Sequence, residues 1–88
     1  MIDVNIVASE NTSKLLEIEC QRLDLTYSVS SAPLDEARLY IIDTGFYGAD
    51  IPFPNKTIAV GDDKELNARC HIPKYFLIVI RIKVLNFK

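Results

Sequence analysis

Seven consecutive residues, Ala37-Arg38-Leu39-Tyr40-Ile41-Ile42-Asp43, constrain this chain more than any other stretch. β-Branched and aromatic side chains with almost no polar alternation describe a strand buried on both faces, and such strands belong to parallel sheets covered on two sides. A parallel sheet needs crossover connections, so strands should alternate with helical segments on either side of this run. With 88 residues there is room for one such domain and no second core.

The rest of the chain follows that alternation. Residues 2–8 are short, β-branched and followed by a polar stretch, Ser9 to Ser13, as in a strand that ends at Ser9-Glu10 and leads to a helix capped by Thr12 or Ser13. From Lys14 the apolar residues Leu15, Leu16, Ile18, Cys20 and Leu23 recur at helical spacing, which predicts about three turns ending near Asp24. Residues 25–30 alternate apolar and polar, the pattern of a half-buried edge strand. Residues 31–36 allow at most one helical turn before the central run. Gly45, Gly48, Pro52 and Pro54 make residues 44–56 a loop. Residues 57–61 read as a fourth strand, 62–69 as about two helical turns and 70–74 as a short fifth strand. Residues 75–87 fit a strand through Ile78, Ile80, Ile82 and Val84, and fit a helix equally well through Ile78, Ile82 and Leu85. The expected fold is α/β: a parallel sheet of five strands joined by right-handed crossovers.

Composition removes several classes of function. A hydrophobic fraction of 49% is too high for a disordered tail. No apolar run approaches the ~20 residues that span a bilayer, and the first six residues lack the basic start of a signal peptide, so the expectation is a cytoplasmic chain without membrane contact. Cys20, Cys70 and the single His71 cannot furnish a disulfide framework or a four-ligand zinc site. Residues 1–68 hold all 12 acids and residues 69–88 hold only bases, yet Arg81 and Lys83 sit within an apolar run, and no aromatic-plus-basic patch of the nucleic-acid-binding kind occurs.

In an open parallel sheet, ligands sit outside the carboxyl ends of the strands. The predicted ends bring Glu10, Asp43, Gly61-Asp62 and Lys74 to one edge. Carboxylates and an ammonium converging there suit phosphoryl chemistry: oxygen ligands for Mg2+, a carboxylate acceptor, and a lysine to neutralise the transferred group.

At these positions the chain resembles a response-regulator receiver domain of two-component signalling. Residues 39–43 look like that family's third strand with its phosphoacceptor aspartate, Asp43. Residues 71–74, followed by Tyr75-Phe76, look like its fifth strand with its lysine, Lys74. Ile78-x-x-Arg81-Ile82-x-x-Leu85 is similar to its last helix. The departures are as informative. Ser9-Glu10 leaves one carboxylate where the family has an acidic pair, Gly61 stands where the family has the Ser or Thr that contacts the phosphoryl group, Tyr75 replaces a proline, and His71 stands where the switch aromatic would be. Mg2+ would then be held by Glu10 and Asp43 only as a partly hydrated ion, at millimolar affinity or weaker.

The resemblance implies a small flavodoxin-like sheet of five parallel strands in the order 2-1-3-4-5, with shortened or missing middle helices and one sheet face thinly covered. It further implies an atypical receiver-like domain, not an enzyme, acting as a signalling and dimerisation module of a two-component or transcription regulator, with phosphorylation weak or absent. A sensor kinase would be its partner, and DNA would be reached only through an effector domain outside this chain. Phe76, Leu77, Ile80, Arg81, Lys83, Val84 and Phe87, on the second face of a helical residue 75–87 segment, would form a homodimer interface. A conventional receiver phosphorylated on Asp43 is the second reading, and a small flavodoxin-like nucleotide-binding protein or enzyme the third.

Overall fold

The computed structural model describes residues 1–61 and 70–72. Five parallel strands, β1 (Ile2–Val7), β2 (Tyr27–Val29), β3 (Ala37–Asp43), β4 (Thr57–Val60) and β5 (Cys70–Ile72), form one sheet in the order β2-β1-β3-β4-β5. The helix α1 (Glu10–Arg22) connects β1 to β2, and a 3-10 turn at Pro54–Lys56 leads into β4. The flavodoxin-like strand order is the one the resemblance implied, and β3, the middle strand, has its predicted bounds. The expected helix over residues 62–69, Lys74, and the whole of residues 75–87 with the proposed dimer interface lie outside the described residues.

Register places Val7 opposite Ile42 and Asp43 opposite Val60, so the carboxyl ends of β1, β3 and β4 share one edge. Alternation along the strands then divides two cores. Val4, Ile6, Leu39, Ile41, Ile58 and Val60 face one way and are sealed by Leu16 and Cys20 of α1 and by Leu25. Val7, Ala37, Tyr40 and Ile42 form the second cluster, packed by Ile2, Tyr47, Ile51 and Phe53.

Helix α1 begins earlier than the apolar spacing suggests. Ser9, not Thr12 or Ser13, is the N-cap residue, and β1 ends at Val7 rather than Ser9-Glu10. Thr12 and Ser13 are buried in the first turn, and Ser13 Oγ donates to the Ala8 carbonyl (3.1 Å). These small polar residues let the helix start lie close against the end of β1, whereas Leu15 and Ile18 are 53% and 58% exposed. The helix closes as a Schellman motif: Leu25 N–H donates to Cys20 O (2.9 Å) and Asp24 N–H to Gln21 O (3.2 Å). Asp24 holds the left-handed position with φ 57°.

The second sheet face is not bare, as its shortened connections implied. No helix forms over residues 31–36 or 44–53; instead the irregular chain lies on the sheet. Phe53 stacks on Tyr40, ring centroids 5.1 Å apart at 22°. Tyr40 Oη donates to Leu34 O (2.7 Å) and Thr57 Oγ1 to Phe53 O (2.8 Å). Asn5, fully buried in β1, donates through Nδ2 to Ser28 O (3.2 Å) and Ser30 Oγ (2.9 Å), and its Oδ1 accepts the Leu34 N–H (2.9 Å). No helix among the described residues is long and apolar enough to cross a membrane.

Candidate functional site

Asp43 ends the middle strand at the shared carboxyl edge, and its side chain is buried, the residue being 1% exposed. A strand this apolar carries its last residue to the rim of the core, and the turn that follows closes around it. Asp43 Oδ1 accepts the Gly45 N–H (2.9 Å), while its backbone carbonyl accepts Phe46 N–H (3.0 Å) and Tyr47 N–H (2.9 Å). Side chain and backbone of Asp43 thus fold the start of residues 44–53, an aspartate turn of the usual kind. Tyr47, within that turn, is one of the side chains that cover the second core.

Beside Asp43, the ends of β3 and β4 are joined. Thr44 N–H donates to Val60 O (2.9 Å), and Thr44 Oγ1 approaches the same carbonyl (3.4 Å). Gly61 follows Val60 with φ 141°, a backbone conformation that favours glycine. The residue that sequence reasoning marked for a lost hydroxyl is therefore a glycine for backbone reasons as well. Thr44 was not singled out in the sequence, because nothing in the spacing says which strand end turns its side chain across to its neighbour.

Glu10 lies near the same sheet edge as the first residue of α1, but its carboxylate pairs with Lys14 (3.3 Å) and its side chain is 81% exposed. An exposed i,i+4 pair of this kind contributes only a few tenths of a kcal/mol. Among the described residues no three His, Cys, Asp or Glu side chains gather as metal ligands. Glu10 and Asp43, the two candidate Mg2+ ligands, each have a partner of their own in this structure: Lys14 for Glu10 and the Gly45 N–H for Asp43 Oδ1. His71 falls in β5, opposite Ala59, which keeps it on the strand predicted for it. Lys74 lies outside the described residues.

A shallow depression of about 250 Å3 near the 3-10 turn is lined by Pro52, Phe53, Pro54, Asn55 and Lys56 alone. No strand-end residue contributes to it, so it is separate in composition from the Asp43 edge.

The chain matches no protein-family model and has no significant match among curated proteins or solved structures.

Proposed function

We propose that this chain is a minimal, atypical receiver-like domain that serves as a cytoplasmic signalling and dimerisation module of a two-component or transcription regulator, with phosphorylation of Asp43 weak or absent. The observation that carries the reading is Asp43 itself, a buried carboxylate at the carboxyl end of the middle strand of a 2-1-3-4-5 parallel sheet, beside the end of β4. In open parallel sheets that edge is where ligands act.

Weak transfer is supported by how Asp43 is held. Attack on phosphorus needs a carboxylate oxygen that can reach the donor, and here Oδ1 serves the Gly45 turn within a buried residue. Glu10 stands in an ion pair on the helix surface rather than beside Asp43 as a cation ligand. Losing one preorganised stabilising group costs ~3 kcal/mol, or about a hundredfold in rate. Dimerisation rests on the sequence of residues 76–87, where a helical reading would put Phe76, Leu77, Ile80, Val84 and Phe87 on a second apolar face bordered by Arg81 and Lys83. A sensor kinase is the upstream partner and an effector domain beyond this chain the route to DNA.

Incubation with a small acyl phosphate and Mg2+, read by intact mass, should give slow, substoichiometric labelling or none. Rapid stoichiometric labelling lost in Asp43→Asn would establish the second reading, the conventional receiver in which Asp43 takes the phosphoryl group. Light scattering at low micromolar concentration should report a dimer that Ile80→Glu dissociates. A wild-type monomer would remove the dimerisation role.

A further inference from the structure

β2 is an edge strand of the sheet. Val4 N–H donates to Thr26 O (3.0 Å) and Ser30 N–H to Ile6 O (3.0 Å), so residues 26, 28 and 30 direct their backbone groups to β1. Alternation then turns the N–H and C=O groups of Tyr27 and Val29 outward, away from the sheet. Proteins usually blunt such an edge with charge, proline or a bulge. Here residues 25–34 hold no charged side chain, in a chain that is 25% charged, and the first proline is Pro33. Val29 is 43% exposed.

We infer that the β2 edge pairs antiparallel with the same edge of a second copy of this chain, joining two sheets into one. Self-complementarity and charge select that occupant. With the two-fold axis at Ser28, Tyr27 of each copy meets Val29 of the other, and each such pair exchanges both of its backbone hydrogen bonds. Tyr27 packs on the helix-covered core, so on that face the opposed side chains are aromatic and β-branched, a favourable cross-strand pair. On the second face Ser28 meets Ser28 and Thr26 meets Ser30. No position in this register sets like charges together. Residues 1–61 hold 9 acids and 4 bases, so two copies repel over most of that surface and meet without opposition along residues 25–34. An extended segment of another protein would find the same backbone groups, but no charge there to select it. A strand of three residues buries little area, so the contact is weak by itself and gains strength where another contact already holds two copies together. It rests on β2 alone, and depends neither on the proposed interface of residues 76–87 nor on the receiver-like reading.

Two measurements test the pairing. Sedimentation velocity on the full chain carrying Ile80→Glu, followed from low to several hundred micromolar, should show monomer giving way to dimer. Adding Val29→Pro removes an outward N–H that β1 does not use, a place where an edge strand tolerates proline. It should weaken association at least tenfold, as should Val29→Lys, while Val29→Thr stays within about threefold. Association undiminished in both Val29→Pro and Val29→Lys would overturn the proposal. Monomer at every concentration would also overturn it, leaving the edge to a different partner. A wild-type chain that is monomeric at low micromolar concentration, yet pairs above it and loses that pairing in Val29→Lys, would uphold the β2 edge and remove the interface of residues 76–87 instead. The second measurement reads the register. Opposed residues that are not hydrogen-bonded to each other have Cα atoms ~4.5 Å apart, within disulfide range. In a glutathione redox buffer, Ser28→Cys should therefore give at least tenfold more disulfide-linked dimer than Ala32→Cys, an exposed thiol beyond the strand, with the wild type as the blank for Cys20 and Cys70. Equal yields from the two variants would overturn the two-fold axis at Ser28.

Discussion

On one face of the sheet, α1 helps seal Val4, Ile6, Leu39, Ile41, Ile58 and Val60 with the apolar side chains of Leu16 and Cys20, whereas on the other an irregular chain seals Val7, Tyr40 and Ile42 and is pinned by hydrogen bonds to Asn5 and from Tyr40 and Thr57. The difference follows from backbone satisfaction. A helix supplies partners for most of its own N–H and C=O groups, so the sheet beneath it can be wholly apolar. An irregular cover brings unpaired backbone groups onto the core, and the sheet must answer them with polar side chains. Asn5, the Tyr40 hydroxyl and Thr57 are buried polar groups for that reason, each ending on a backbone group of the cover at Leu34 or Phe53.

Adjacent residues of β3 provide the sharpest test of the contrast. Ile41 points to the helix-covered core and Ile42 to the loop-covered one, and both are 1% exposed. Truncating a buried Ile costs ~2–5 kcal/mol, with the spread set by how far the surroundings collapse into the cavity. Ile41→Ala should cost about 3–4 kcal/mol and Ile42→Ala about 1 kcal/mol less, measured by urea unfolding. Equal costs would show the irregular cover to be as unyielding as the helix.

Asn5→Ala should follow, at about 2–3 kcal/mol, because it strips the Leu34 N–H of its acceptor and frees two acceptors in the β2 region. Hydrogen exchange should localise the damage: Leu34 loses protection while the amides of α1 keep theirs. Protection lost equally from α1 would mean that the two covers unfold as one.

Alkaline pH acts on both cores through different groups. On the helix-covered side, burial first and the carboxylates of Asp3, Glu17 and Glu19 next push the Cys20 thiol from 9.0 to about 11. On the other side, burial and then Asp35 raise the Tyr40 phenol above its usual 10.0. The unfolded chain ionises each group first, so the stability linked to Cys20 is complete below pH 9 and is lost as pH climbs to about 11. That loss is on the order of 2–3 kcal/mol, with Tyr40 adding to it above pH 10. Cys20→Ala should flatten the decline just above pH 9 and leave the tyrosine-linked part. An unchanged pH profile would mean that the thiol ionises as readily folded as unfolded.

The smallest effect is at the end of α1. Asp24 holds a left-handed φ of 57° and sets a negative charge at a helix C-terminus. Asp24→Gly should raise stability by about 0.5–1 kcal/mol, seen as a higher thermal midpoint.

Much of this arrangement was legible before any coordinates. The run over residues 37–43 identified the middle strand with its bounds, because between Arg38 and Asp43 it shows no charged position, as a strand buried on both faces should. Gly45, Gly48, Pro52 and Pro54 identified the loop. The helix stripe was half legible: Leu16 and Cys20 are core, but Leu15 and Ile18 share the helical spacing and stay exposed. Periodicity alone cannot say that Thr12 and Ser13 take the sheet-facing side, since their fitness for it depends on how closely the helix start approaches β1. At the candidate site, Asp43 was legible from its place at a strand end, whereas the surface pair between Glu10 and Lys14 was not.

Sequence determined what is local and periodic: which segments are strands, where breakers interrupt them, and that parallel pairing would carry Asp43 to the carboxyl edge. Only the tertiary structure decided how the second face is covered and which oxygen fills the space beside Gly61. Both depend on groups far apart in the chain meeting at van der Waals or hydrogen-bond range: Tyr40 with Phe53, Asn5 with Leu34, and Thr44 with Gly61. Periodicity reports the direction in which a side chain points from its own element. It carries no information about the position of the element opposite, and at a sheet edge that distance of a few ångströms decides whether an oxygen or a side chain fills the space.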